Sequence, residues 1–204
     1  MNADEYIKAL GKAYHDNDLG EEWDELMSVA TGISAEQKRE LYAVFPLFPK
    51  TLMDILERID GTYYREYGDY ESTDYFFGSD VDNGEYPYHL HSFEDIMRDK
   101  DNAQNLSDML YDYYGCPEEK ALYVDDRLTS DTENIKWLCF SDCMNNGGTS
   151  SLFVDFTPSE KGKVGQIVRF LHDPDQIAVI ADSFDEFLDM LVNNGMKFID
   201  KEYF

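Results

Sequence analysis

Basic residues are scarce in this sequence, which has 17 Lys and Arg against 43 Asp and Glu in 204 residues and a formal net charge of -26 at pH 7. A surface with this balance repels phosphate backbones and anionic lipid headgroups, so we expect neither nucleic acid nor a membrane surface as a partner. The same field attracts basic proteins and cations, although an acidic composition can also serve solubility alone.

Cysteines and long apolar runs are also few. Cys116, Cys139 and Cys143 are an odd number without the spacing of a disulfide framework, which indicates reduced thiols. Asp4 and Glu5 place acids where a signal peptide needs positive charge, and no apolar run approaches the ~18 residues that cross a bilayer. We therefore expect a cytoplasmic protein that does not span a membrane.

Aromatic residues, in contrast, are abundant. The chain contains 15 Tyr, 13 Phe and 2 Trp, and 43% of its residues are hydrophobic, which places it outside the disordered class despite its charge. A chain of this length that folds as one unit buries roughly 70% of its extended surface. We therefore predict a single domain over residues 1–204.

Apolar residues at helical spacing predict an N-terminal helical region over residues 1–33 and further helices beyond it. Ser34 with Gln37 has the pattern of a capping box, and Pro49 suits the first position of a fourth helix. The same signals predict a helical turn after Ser92, a helix over 102–114, and a last helix that Ser183 and Glu186 cap.

Residues 121 onward change to short runs rich in β-branched and aromatic residues, separated by turn residues. The predicted turns lie at 145–148, 158–165 and 172–175. This pattern predicts an α+β fold in which N-terminal helices and a C-terminal helix flank a largely antiparallel sheet. The predicted strands are 122–124, 136–140, 152–156, 166–171 and 177–180.

A scattered set of residues in this second half resembles the signature of the SUKH superfamily, the Smi/Knr-like family. The resemblance covers residues 34–61 and 121–192, whereas residues 62–115 have no clear counterpart and are interpreted as an insert. The matching residues are Trp137, Gly147, Gly148, Asp155, Gly162, Gly165, Ser183, Phe184 and Phe187.

The resemblance implies a protein-binding role without catalytic residues or a cofactor. Bacterial members of this superfamily are mostly immunity proteins that neutralise toxin domains, often nucleases or deaminases, while fungal relatives regulate cell-wall synthesis through protein contacts. Our first hypothesis is an immunity protein that covers a basic toxin domain. A regulatory or scaffold protein of the cell-wall-synthesis type is the second, and an undetected hydrolase or metal enzyme is the third. Homo-oligomers are compatible with all three.

The partner-binding surface is predicted in residues 62–88, where aromatic residues alternate with acids and no regular element is evident. Aromatic side chains supply buried anchors at interfaces, although in a long loop they can instead fix the loop to the body of the protein. The candidate residues are Tyr63, Tyr64, Glu66, Tyr67, Asp69, Tyr70, Glu71, Asp74 and Tyr75.

No local pattern predicts a metal site. His89 and His91 would point to one face of an extended strand but have no evident third ligand, and Cys139 and Cys143 would share a face only if their strand ran through residue 142. The segment 80–84 resembles a calcium loop, but its glycine comes one residue early and the twelfth position is a histidine. We therefore expect no bound transition metal.

Overall fold

The computed structural model describes residues 1–81, 87–100, 110, 123–145, 147–172 and 175–203. These residues form an α+β fold, as the sequence predicts. The helices are α1 (Ala3–Asp16), α2 (Gly20–Val29), α3 (Ala35–Val44), α4 (Lys50–Leu56), α5 (Phe93–Asp99) and α6 (Phe184–Asn193), with short 3-10 helices at Thr132–Asn134 and Lys201–Tyr203.

Eight strands accompany these helices. The first two form a separate hairpin, and the other six form the main sheet in the order β3-β5-β6-β7-β8-β4. The strands are β1 (Arg65–Tyr67), β2 (Tyr70–Ser72), β3 (His89–Leu90), β4 (Tyr123–Val124), β5 (Trp137–Asn145), β6 (Gly148–Asp155), β7 (Gln166–Leu171) and β8 (Gln176–Ala181). All neighbours in the main sheet are antiparallel except β4, which runs parallel to β8.

Capping explains where several helices begin. The hydroxyls of Ser34 and Ser92 each accept a hydrogen bond from the third helical N–H, and the side chains of Gln37 and Asp95 accept one from the backbone N–H of the cap. Both predicted start signals are thus confirmed. Helix α4 begins one residue after the predicted position, with Pro49 as its cap. The helix predicted over 102–114 lies outside the described residues apart from Leu110, which is helical and fully buried.

Two hydrophobic clusters cover the two faces of the main sheet. The larger cluster contains side chains of α1, α4 and α6, including Phe187 of α6, together with Leu138 and Phe140 of β5. The smaller cluster contains Trp137 of β5 and Phe153 of β6. Trp137 and Phe187, although both belong to the family signature, therefore lie in different clusters, because alternate residues of a strand point to opposite faces of the sheet.

Strand β5 extends through residue 145 and thus further than predicted, yet Cys139 and Cys143 do not share a face. The register shifts between Cys139 and Ser141, and this bulge reverses the alternation of side chains along the strand. Cys139 joins the smaller cluster and Cys143 joins the larger one. A zinc site made from this pair is excluded by the geometry.

Part of the predicted insert belongs to the larger cluster. Phe76, Phe77 and Tyr88 are fully buried, and the Tyr6 hydroxyl of α1 donates a hydrogen bond of 2.6 Å to the Phe76 carbonyl. The described residues of this segment, 62–81 and 87–99, are thus packed into the fold. In the described part of the chain, no helix is long and apolar enough to span a bilayer.

Candidate partner-binding site

The central feature of residues 62–75 is the β1–β2 hairpin, in a segment for which the sequence predicts mostly loop. Gly68 and Asp69 form its turn, and the cross-strand pairs are Arg65 with Ser72, Glu66 with Glu71, and Tyr67 with Tyr70. Because successive side chains alternate, the Glu66–Glu71 pair faces solvent while the flanking pairs turn toward the body of the protein.

Two of the nine predicted contact residues are buried in the protein's own interior. Tyr67 is 7% exposed and its hydroxyl donates a hydrogen bond of 2.8 Å to the carbonyl of Gly61. Asp74 is 3% exposed and accepts bonds of 2.8 Å from the hydroxyls of Tyr70 and Ser72. Burial raises the pKa of Asp74 above its ordinary value. These two side chains therefore support the hairpin and are not available to a partner.

The remaining residues form the outer face of this segment. Tyr64 is 63% exposed, and Glu66, Asp69 and Glu71 are exposed as well. Tyr63, Tyr70 and Tyr75 are half-buried. We call this area the hairpin surface; it comprises Tyr63, Tyr64, Glu66, Asp69, Tyr70, Glu71 and Tyr75.

His89 supports the hairpin surface from beneath. Its ring lies between the rings of Tyr63 and Tyr75, with centroid distances of 4.8 and 4.6 Å, and its Nδ1 is 3.0 Å from the Asp74 carbonyl. Burial lowers the pKa of His89, so the ring is neutral at pH 7. The histidine is thus a structural element of this surface.

His91 has different surroundings from His89, and the two rings form no joint ligand set in the described residues. The His91 Nε2 atom lies 3.3 Å from a carboxylate oxygen of Asp142, and its Nδ1 atom lies 3.9 Å from one of Asp99. Burial alone would lower the pKa of His91, but Cys139 and Asp142 raise it well above its ordinary value.

The segment resembling a calcium loop is only partly described. Asp80 forms an ion pair with the buried Arg169, with 2.5 Å between Oδ1 and Nε. Residues 82–84 lie outside the described residues. The first carboxylate of the candidate loop is therefore engaged by an arginine.

Sequence reasoning missed a second surface, an apolar groove of about 640 Å³. The end of α3 and the loop that follows it form one side of the groove, where Val44 and Leu47 are 40% and 63% exposed. Trp137 and Phe156 contribute to the other side, and Lys100 and Lys136 are its charged residues. The available signal was the run 44–48, in which Pro46 is surrounded by apolar residues that continue past the end of α3.

The residues of the family signature occupy turns, strands and the start of α6. Gly147 and Gly165 have φ angles of +82° and +90°, a region that favours glycine, in the turns that precede β6 and β7. Asp155 ends β6, is fully buried, and accepts bonds from Gln166 and Thr157.

The other signature residues have similar structural positions. Ser183 caps α6 by accepting a hydrogen bond from the N–H of Glu186. Phe184 and Phe187 of this helix are buried against the sheet, as is Trp137 on the opposite face. Gly148 opens β6, and Gly162 lies in the turn between β6 and β7, a hairpin connection as predicted.

Comparison with known proteins identifies the family. No curated protein matches this chain. A model described as the SMI1 / KNR4 family (SUKH-1) matches residues 40–190, about three quarters of the chain, and this range includes every signature residue named above. Members of this family are generally non-catalytic binding proteins, which supports a protein-binding role for this chain. The chain belongs to the SMI1 / KNR4 family (SUKH-1).

Proposed function

We propose that this chain is an immunity protein that neutralises a basic toxin domain, such as a nuclease, by covering it with the hairpin surface. Family membership supports a binding role, and the charge of -26 supports a basic partner. The acids of the hairpin surface would occupy the positions that the phosphates of a nucleic-acid substrate take on the toxin.

The observation that carries this proposal is the pairing of Glu66 with Glu71. The two glutamates are direct cross-strand partners on the exposed face of the hairpin, and in the described residues neither has an ion-pair partner. Like charges directly opposite each other destabilise a strand pair by roughly 0.2–1 kcal/mol. This arrangement does not benefit the hairpin itself, whereas a lysine or arginine of a partner would relieve the repulsion.

Tyr64 provides an aromatic anchor beside these acids. It is 63% exposed and has a φ of +48°, a left-handed conformation that is unfavourable for a tyrosine. Its ring lies 4.9 Å from that of Tyr63, which in turn contacts His89. A tyrosine held in place before binding loses little side-chain entropy on contact, which suits an interface hot spot.

Helix α2 extends the acidic area. Glu22 and Glu25 are exposed on this helix. The pKa of Tyr70 is raised mainly by burial and by Asp74, and these two glutamates raise it further, which places them close to the hairpin surface. A continuous negative surface accelerates the encounter with a basic partner, and salt reduces this effect.

The alternative within the family is a regulatory protein of the cell-wall-synthesis type, which would bind an endogenous partner. A neighbouring gene for a large secreted protein with a basic C-terminal domain favours the immunity function. Co-expression of that domain with this chain then gives the direct test, because an immunity protein restores growth. Continued growth arrest in the presence of the folded chain would contradict the proposal.

Association kinetics with the same purified domain test the hairpin surface. Reversing Glu66, Asp69 and Glu71 to Lys should slow association at least tenfold and reduce its dependence on salt. The matched control reverses Glu40, Glu133 and Glu160, which are also exposed and change the net charge equally. Equal association rates for both folded variants would exclude the hairpin surface and direct attention to the apolar groove.

A further inference from the structure

His91 lies at the junction of β3 and α5 and is almost completely buried. Its side chain is 1% exposed. The Nε2 atom faces Asp142, but in the described part of the protein the Nδ1 atom has no hydrogen-bond partner. An unpaired polar atom at this depth is unfavourable unless something else bonds to it.

Two further ligand groups lie beside the His91 ring, and the nearer oxygen of Asp99 is 3.9 Å from its Nδ1 atom. One ligand atom each of His91, Asp99 and Cys139 lie within 4.8 Å of one another. Asp99 is the last residue of α5, and Cys139 lies in β5 just before the bulge, so three different elements converge. The ligand atoms of a tetrahedral zinc site are roughly 3.5 Å apart, and a closure of about 1 Å would bring this group to coordinating distance.

Asp142 faces the other nitrogen of the His91 ring, Nε2, at 3.3 Å. Histidines that bind a metal through one nitrogen commonly place the other against a carboxylate, which fixes the ring orientation. The bulge in β5 makes this possible, because it lets Cys139 and Asp142 of one strand both reach His91.

We propose that His91 Nδ1, the Asp99 carboxylate and the Cys139 thiolate bind one divalent ion of the zinc class, with Asp142 as a positioning residue. Mixed nitrogen, oxygen and sulfur ligands suit zinc or cobalt and not calcium or magnesium. The ion would join the end of α5 to strand β5, which lies beside the edge strand β3. The site is independent of the proposed immunity function.

Cobalt titration of the full chain, freed of metal by a chelator, tests the site. One equivalent of Co²⁺ should produce a thiolate-to-cobalt charge-transfer absorption that one equivalent of Zn²⁺ abolishes. Absence of this band from the folded parent protein would overturn the proposal.

Variants identify the ligands. Cys139→Ser should abolish the charge-transfer band, and Asp99→Asn should weaken binding at least tenfold. Asp142→Asn should weaken it by about 10- to 100-fold, the usual effect of losing such a carboxylate. The matched control is Cys143→Ser, because Cys143 is also buried in β5 but belongs to the other cluster.

Circular dichroism and melting temperature establish that each variant is folded. Asp99 is the least buried of the three ligands, so Asp99→Asn keeps the test valid if Cys139→Ser misfolds. The assignment would be overturned if the band persisted in Cys139→Ser or disappeared in Cys143→Ser. It would also be overturned if Asp99→Asn bound cobalt with the affinity of the parent.

Discussion

Trp137 and Phe187 lie on opposite faces of the main sheet. The Trp137 ring packs on Phe153 with a centroid distance of 5.4 Å, whereas Phe187 packs on Phe140 at 5.9 Å and on Phe184 at 6.0 Å. The two side chains belong to clusters with no common member. Their contributions to stability should therefore be independent of each other.

Truncation of either ring should be costly. Phe187→Ala and Trp137→Ala should each lower the free energy of unfolding by about 3–5 kcal/mol, measured by urea denaturation. The milder pair Phe187→Leu and Trp137→Phe tests independence, since their effects should add to within about 0.5 kcal/mol in the double variant. A coupling above about 1 kcal/mol would show that the two clusters act as one.

Tyr67 and Tyr64 should respond differently to truncation, although both were candidates for the same contact surface. Tyr67→Ala removes a buried ring and its bond to Gly61, so stability should fall by about 3 kcal/mol or more. Tyr64→Ala should change stability by less than about 1 kcal/mol and should instead accelerate dissociation from the partner. Melting temperature and surface binding kinetics separate the two effects; a large stability loss in Tyr64→Ala would contradict this division.

Glu66→Gln should stabilise the isolated protein. It removes one charge of the cross-strand pair with Glu71, which should raise the free energy of unfolding by roughly 0.2–1 kcal/mol. High salt should erase this gain, because screening weakens the repulsion in the parent protein. Glu133→Gln serves as the control for a general change in net charge, and an equal gain there would mean that the pair itself contributes nothing.

Asp74 and Asp125 should make opposite contributions to the pH dependence of stability. Burial raises the pKa of Asp74, so the stability linked to it is fully present below the unfolded value near 3.8 and is lost as the pH rises through the folded value. Burial also opposes ionisation of Asp125, but hydrogen bonds from Arg127 outweigh it and lower the pKa. Its stabilisation is present above 3.8 and is lost as the pH falls through the folded value.

Paired substitutions measure these signs. Relative to the parent, Asp74→Asn should become more stable as the pH rises from about 4 to 7. Asp125→Asn should become less stable relative to the parent as the pH rises from about 2 to 4, because the stabilisation by Asp125 develops in that interval. Urea denaturation at several pH values gives both differences. Parallel curves for Asp74→Asn and the parent would mean that Asp74 titrates as it does in the unfolded chain.

Cys143 should resist alkylation in the folded protein. Burial and the neighbouring Asp142 raise its pKa to about 12. At pH 8 only about one thiol in ten thousand is then the reactive thiolate. Iodoacetamide followed by peptide mass spectrometry should find Cys143 unmodified in buffer and modified in urea. Rapid labelling under native conditions would show that the strand opens around this residue.

The sequence was most informative where structure depends on neighbours in the chain. The capping boxes at Ser34 and Ser92 join residues three apart, so the pattern contains the whole interaction. The β1–β2 hairpin was missed because each strand has three residues, too few for an alternation to be recognised. The inward position of Tyr67 follows from that hairpin and was missed with it.

Other features depend on contacts between distant parts of the chain. The bulge near Cys139 has no signature in the residues themselves, and it decides which face Cys143 occupies. The group of His91, Asp99 and Cys139 comes from three elements and therefore has no local spacing. The apolar groove likewise forms only when the loop after α3 meets the start of β5.

The main sheet ends on both sides in a strand of only two residues, His89–Leu90 and Tyr123–Val124, in the part of the chain that the structure describes. Strands this short offer an extended peptide few backbone groups with which to continue the ladder. A second copy of the chain would meet the same short edge strands, and very short edge strands are a common device against edge-to-edge aggregation. We therefore expect a partner to be recognised by side chains and not by a strand added to these edges.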